Sequence, residues 1–287
     1  MNIRIRQYFL LMLAVILITA RPLTSFAAED PVSEAKKGVV RIDIVYMGEN
    51  GDDYVIQSES GFLIAEHYAV TLAHALEPSD DDLEIYAQFF GVDPDILRDN
   101  MFIRVYANDR YTEASVVTSE HDTDLAVLQL NSSIYGCKAL PFRSSGMLSS
   151  SDDCYMLGFL SVMTGNSEPS EVFSHHGVFK EIDSLNGVDY VVISTDPSTG
   201  ITGGPLIDKN GNVIGILADP TNDSSDSSEC YAVSSDSLMN ILNQAEIPYQ
   251  YSAGANSGSS IDNPEEPGYV FPSPSNSVPG NFIRLPG

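Results

Sequence analysis

Three segments carry an imidazole, a carboxylate and a hydroxyl, in that order. In the first, Ser60-Gly61-Phe62-Leu63-Ile64 is followed by Val70-Thr71-Leu72-Ala73-His74, a Gly-led apolar strand and then a second strand whose end presents a histidine. In the second, His121-Asp122-Thr123-Asp124 runs into Leu125-Ala126-Val127-Leu128, so that Asp124 stands at the entry to a strongly apolar strand. The third runs Thr195-Asp196-Pro197-Ser198-Thr199-Gly200-Ile201-Thr202-Gly203-Gly204-Pro205-Leu206, followed by Asn210-Gly211-Asn212-Val213-Ile214-Gly215-Ile216. Other titratable groups are poorer candidates. His175 and His176 are adjacent, and adjacent residues on a strand point to opposite faces, which argues against a shared metal. His67 and His121 read as surface residues. Asp80-Asp81-Asp82 and the stretch from Asp219 to Glu229 read as solvated acidic loops. Three cysteines, Cys137, Cys154 and Cys230, match no zinc spacing, and their odd number leaves at least one without an intramolecular disulfide.

The three segments resemble the trypsin-like serine peptidases, and most of all the HtrA-like bacterial branch. That branch shows a Thr-Asn-Ala-His segment, an Asp-Leu-Ala-Val-Leu segment and a Gly-Asn-Ser-Gly-Gly-Pro-Leu segment in this order. The resemblance covers roughly residues 39–245 and extends to Ala139-Leu140-Pro141-Phe142, to Asp153 through Phe159, and to Ser174 through Phe179. It implies a catalytic triad. His74 is the expected general base, and Asp124 the group that holds its ring in one tautomer and stabilises the imidazolium. The turn Gly200-Ile201-Thr202 is expected to aim the N–H groups of Gly200 and Thr202 at a developing oxyanion. Asp196 stands six residues before Thr202, the offset at which trypsin carries its specificity acid, and is a candidate for the substrate pocket. The HtrA-like pattern instead matches Thr195-Asp196 to a more distant Thr-Asp pair.

The sequence departs from the family at the nucleophile, where Thr202 replaces Ser. The extra methyl restricts rotation about the first side-chain torsion. Threonine nucleophiles elsewhere are activated by their own N-terminal amine, which an internal Thr202 lacks. Two readings stay open here: a working or weakened endopeptidase hydrolysing peptide bonds, and a pseudopeptidase that binds peptide or protein at the inactive site. No cofactor or metal is required by either.

The elements that must position these residues read as short strands. Val40, Ile42, Ile44 and Tyr46 alternate with Arg41 and Asp43, and further apolar or β-branched runs cover 102–106, 114–118, 125–130, 154–159, 171–180, 190–195, 205–207 and 213–218. Turn formers punctuate them at Gly48 through Gly51, Asn108-Asp109, Asn186-Gly187 and Asn210-Gly211. Such spacing predicts sandwiches or barrels. Together with the resemblance, the expected fold is all-β: two six-stranded antiparallel barrels, residues 28–145 and 146–252, the second including a closing helix. That helix is predicted over 235–245 with Ser235 as N-cap, its apolar face carrying Leu238, Ile241, Leu242 and Ala245. A weaker helix is expected over 80–91, followed by Asp93-Pro94-Asp95.

The chain has 287 residues, 14 Lys+Arg against 40 Asp+Glu and a formal charge of −26. Nucleic acid is an unsuitable partner, because the net charge repels phosphate. A polypeptide partner fits the resemblance. Arg4 and Arg6 precede the apolar run Tyr8 to Ala20, which is shorter than the roughly 20 residues a spanning helix needs. Ser25 and Ala27 supply small side chains for signal peptidase, so residues 1–27 are expected to be a cleaved secretory signal and the protein to be exported without stable membrane insertion. Residues 253–287, rich in Pro, Gly and Ser, are expected to form a flexible tail without a further domain.

Overall fold

A computed structural model describes residues 30–159, 171–195, 201–218, 228–252 and 268–270. Twelve strands form two closed antiparallel barrels. The first contains β1 (Val39–Met47), β2 (Asp53–Ala65), β3 (Tyr68–Leu72), β4 (Met101–Ala107), β5 (Arg110–Glu120) and β6 (Leu125–Leu130), in the order β1-β2-β3-β6-β5-β4. The second repeats this pattern with β7 (Asp153–Gly158), β8 (Phe173–Leu185), β9 (Val188–Ser194), β10 (Pro205–Asp208), β11 (Val213–Ala218) and β12 (Glu229–Ser234), in the order β7-β8-β9-β12-β11-β10. The double barrel expected from the strand spacing and the resemblance is therefore present.

Local chemistry explains the turns. Asn108 and Asp109 both take positive φ, 51° and 58°, and Asn186-Gly187 takes 53° and 87°. These are the torsions a two-residue hairpin loop needs, and Asn, Asp and Gly adopt them at least cost. Helix Asp80–Phe90 is capped by Ser79, whose hydroxyl accepts from the Asp82 N–H, and its three acidic residues sit in the favourable first turn. Beyond that helix, Asp93 caps, and Pro94 begins, a short second helix, Pro94–Asp99. Proline at the first helical position forfeits only an N–H that has no intrahelical partner. The closing helix spans Ser235–Gln244, and its N-cap is Ser234, one residue earlier than expected. The Ser234 hydroxyl accepts from the Ser237 N–H, while Ser235 donates to the Arg143 carbonyl.

Leu238, Ile241 and Leu242 of this helix enter a core that runs through both barrels, from Phe62, Val70 and Leu125 to Leu157, Val213 and Val233. Phe142, on the link between barrels, is fully buried against Phe62 and Tyr249, with ring centroids 6.3 and 5.4 Å away. Its flanks are tied to the second barrel: the Val213 N–H donates to the Pro141 carbonyl at 2.7 Å and the Arg143 N–H to the Val213 carbonyl at 2.9 Å. Within the stretch expected as tail, Gly268–Val270 pair antiparallel with Tyr249–Tyr251. Tyr269 and Val270 are good strand formers, and a second strand satisfies backbone groups that Tyr249–Tyr251 would otherwise leave to water. The rest of 253–287, and residues 1–27, lie outside the described residues. Among the described residues no helix is long and apolar enough to cross a membrane.

Candidate active site

Strand register brings His74 to Asp124. β3 pairs with β6 so that Leu72 faces Leu125, which leaves Ala73-His74 and Asp124 side by side just past the ends of the two strands. The Ala73 N–H donates to the Asp124 carbonyl at 3.0 Å. Asp124 then grips His74 twice: Oδ1 accepts from the backbone N–H at 2.9 Å, and Oδ2 lies 2.6 Å from Nδ1. Asp124 has φ 53°, a left-handed conformation that aspartate tolerates better than most residues.

The two groups shift each other's protonation. The hydrogen bond to Asp124 raises the His74 pKa above the ordinary 6.5; half-burial opposes this, and the negative fields of Asp124 and Glu59 add to it. For Asp124, burial pushes upward, but the side-chain and backbone hydrogen bonds from His74 outweigh it and hold the carboxyl below its ordinary 3.8. An imidazole with one nitrogen committed to a carboxylate has its tautomer fixed and its cationic form stabilised, the requirements for a histidine that moves protons.

Thr202 reaches the same place from the second barrel. The Gly203 N–H donates to the Leu217 carbonyl at 2.8 Å, and the Ser60 N–H of β2 donates to the Thr202 carbonyl at 3.2 Å. Gly203 has φ 78°, and a Cβ there would lie 2.3 Å from the Ser60 carbonyl oxygen. A Cβ on Gly204 would lie 2.0 Å from the Leu157 carbonyl oxygen. The Gly-Gly pair is thus required for the turn to pass between β2 and β7. Ser60 adds a further tie, its hydroxyl oxygen accepting from the Phe159 N–H at 2.9 Å.

The Thr202 hydroxyl donates to Glu59 Oε2 at 2.9 Å. Glu59, a half-buried carboxylate on β2, was missed from the sequence. Its only signal was a charged residue next to the Ser60-Gly61-Phe62-Leu63-Ile64 run. Burial is the main cause that raises its pKa above the ordinary 4.5, while the Thr202 hydrogen bond and His74 act in the opposite direction. The structure therefore brings His74, Asp124 and Thr202 into one site and adds Glu59 to it. Gly200 and Asp196 lie outside the described residues.

The remaining candidates sit elsewhere. His121 lies on the surface, 3.9 Å from Glu77. His176 pairs with Asp153 at 2.8 Å on the exposed side of β8, and His175 belongs to the opposite face. Asp80 bridges to Arg98 at 2.9 Å. Among the described residues no group of three or more His, Cys, Asp and Glu side chains could hold a metal ion. Cys154 is buried between the strands, and burial pushes its thiol up to about 12, which makes it a poor nucleophile.

Comparison with known proteins agrees with this geometry. A family model described as trypsin-like peptidase domain matches residues 59–216, which include Glu59, His74, Asp124 and Thr202. Among solved structures, the HtrA-type protease AlgW with tripeptide is similar in fold, with a TM-score of 0.53 and 20% sequence identity. The match covers 75% of this chain and 62% of that one, so this chain spans less than two thirds of the length of AlgW. No curated protein sequence matches. With two barrels, an Asp-held histidine and a Gly-Gly turn in the family's order, the chain belongs to the trypsin-like peptidase domain family.

Proposed function

We propose that this chain is an exported endopeptidase homologue that acts on polypeptides, with Thr202 as nucleophile. The observation that carries the reading is the double hold of Asp124 on His74. An exposed surface histidine has no need of two such bonds; a histidine that must present its second nitrogen to a reacting group does. Hydrolysis proceeds through an acyl-enzyme on Thr202. The N–H groups of Gly200 and Thr202 stabilise the tetrahedral oxyanion, and Asp196 is the candidate for contact with a substrate side chain. Export rests on Arg4, Arg6, the Tyr8 to Ala20 run and the small residues Ser25 and Ala27.

One observation favours a second reading, a secreted pseudopeptidase that binds peptide or protein at this site. The proton of the Thr202 hydroxyl goes to Glu59, and a hydroxyl has only one to give. The test is hydrolysis of casein and of a mixed peptide library by the exported protein, with Thr202→Ala and His74→Ala as controls. Cleavage by the wild type that both substitutions abolish supports the endopeptidase. Saturable peptide binding without cleavage supports the pseudopeptidase.

A further inference from the structure

We propose that Glu59 is the proton acceptor for Thr202 in this site and that His74 acts first as the proton donor, an exchange of the roles that the family pattern assigns. The proposal rests on the endopeptidase reading above. It begins from the hydrogen bond of 2.9 Å between the Thr202 hydroxyl and Glu59 Oε2. A general base must lie within hydrogen-bond reach of the proton it takes, and Glu59 meets this condition in the resting site.

Both partners are held in place. The Thr202 hydroxyl has one proton to give, and the hydrogen bond commits it to Glu59. The backbone next to Glu59 is pinned to the other barrel, because the Ser60 N–H donates to the Thr202 carbonyl at 3.2 Å and the Ser60 hydroxyl oxygen accepts from the Phe159 N–H at 2.9 Å. Base and nucleophile therefore move together, although they are 143 residues apart in sequence.

The charges around the pair suit the exchange. His74, from the turn after β3, and Asp124, at the entry to β6, are the charged groups that act on Glu59. Burial raises the basicity of Glu59 above that of a surface carboxylate, and the Asp124 charge adds to it. His74 stands in the field of both carboxylates, which favour its cationic form. Tyr190, on β9, also faces Asp124, and burial keeps its phenol protonated. Asp124 Oδ2 lies 2.6 Å from His74 Nδ1, so the proton that a cationic His74 can give to a leaving amine is the one on Nε2.

The cycle balances. Thr202 Oγ1 attacks the scissile carbonyl carbon as its proton passes to Glu59 Oε2, forming the C–O bond. The C–N bond breaks as His74 Nε2 protonates the departing amine, leaving an ester on Thr202, a neutral His74 and a protonated Glu59. Water then attacks the ester carbonyl and gives one proton to His74. The ester C–O bond breaks, and Thr202 Oγ1 recovers its proton from Glu59.

The experiment is the pH dependence of kcat/KM on a fluorogenic peptide for the wild type, Glu59→Gln and Glu59→Asp, with Thr202→Ser as reference. The expected wild-type profile is a bell, rising as Glu59 ionises above pH 4.5 and falling as His74 loses its proton above pH 6.5. Glu59→Gln should lower kcat by ~10²-fold or more with little change in KM, the scale of a lost general base, and Glu59→Asp should retain part of the rate. If Glu59→Gln is as fast as or faster than the wild type, or if the wild-type rate climbs through pH 6.5 to a plateau, His74 is the base and the proposal fails while the endopeptidase reading stands. If neither the wild type nor Thr202→Ser cleaves between pH 4 and 9, both fail. Should Glu59→Gln not fold, as judged by its thermal melt, the shape of the wild-type profile decides alone.

Discussion

Gly203→Ala isolates the backbone requirement of the site from its chemistry. Gly203 has φ 78°, where an L side chain costs roughly 1–2 kcal/mol. The added Cβ would also stand 2.3 Å from the Ser60 carbonyl oxygen and 3.0 Å from Thr71 Oγ1. Neither neighbour is free to yield. The Ser60 carbonyl already accepts from the Thr71 hydroxyl at 2.8 Å, and both belong to strands of the first barrel. Relieving such a clash costs about 1–3 kcal/mol more. The sum, about 2–5 kcal/mol, corresponds to a fall in Tm of roughly 4–20 °C for a domain of this size. Thermal unfolding by circular dichroism reads it directly. Gly146→Ala is the control, since its Cβ would meet only Ser144 Oγ at 3.5 Å, an ordinary contact. A Tm for Gly203→Ala within about 2 °C of the wild type would show that the turn yields easily and refute the argument.

Thr202→Ser removes the methyl that stiffens the side chain at 202 while leaving the backbone turn alone. Peptide hydrolysis should rise ~10²-fold or more, equivalent to about 2.7 kcal/mol of transition-state stabilisation, and an unchanged rate would show that the methyl is harmless. Stability should also vary with pH in a way set by three groups. The raised pKa of His74 contributes stability that is complete below pH 6.5 and lost as pH rises through its folded value. The lowered pKa of Asp124 contributes stability that is present above pH 3.8 and lost as pH falls through its folded value. The raised pKa of Glu59 acts in the other direction, destabilising the fold as pH rises from 4.5. Glu59→Gln should therefore melt higher than the wild type at pH 7, with the gap closing below pH 4.5, and a gap independent of pH would contradict this. The formal charge of −26 predicts that Tm rises from low salt to 0.1 M, where the Debye length is ~10 Å; a flat or falling Tm would mean that repulsion is unimportant.

Sequence patterns that depend on neighbours were legible, and those that depend on distant pairing were not. The β6 boundaries, Leu125–Leu130, and the β11 boundaries, Val213–Ala218, match because apolar runs end there in turn formers or charge. His74 and Asp124 were legible because each borders an apolar run within a segment that resembles the trypsin-like family, and the Leu72–Leu125 register then brings them together. The turn at Thr202 was marked by Gly203-Gly204-Pro205. Glu59 was hidden because its partner lies on the other barrel, and nothing near it in sequence hints at a hydroxyl. The same holds for Arg143 and Asp208, a partly buried ion pair at 3.1 Å joining the link between barrels to β10. Asp93-Pro94 follows one helix and starts another, and the sequence does not separate the two because a motif that stops one helix can also start the next. Gly268–Val270 were lost in the composition of their surroundings, which averages over the short Tyr-Val run that pairs with Tyr249–Tyr251.

The central claim is that residue 202 is an activated nucleophile. Intact-protein and peptide mass spectrometry after treatment with a fluorophosphonate tests it most directly, because the adduct requires an activated hydroxyl beside a formed oxyanion hole. One phosphonyl adduct on Thr202 is predicted, formed faster on Thr202→Ser and absent from Thr202→Ala. Absence of any adduct from both the wild type and Thr202→Ser, in protein that is folded, would contradict the claim and leave peptide binding as the function of the site.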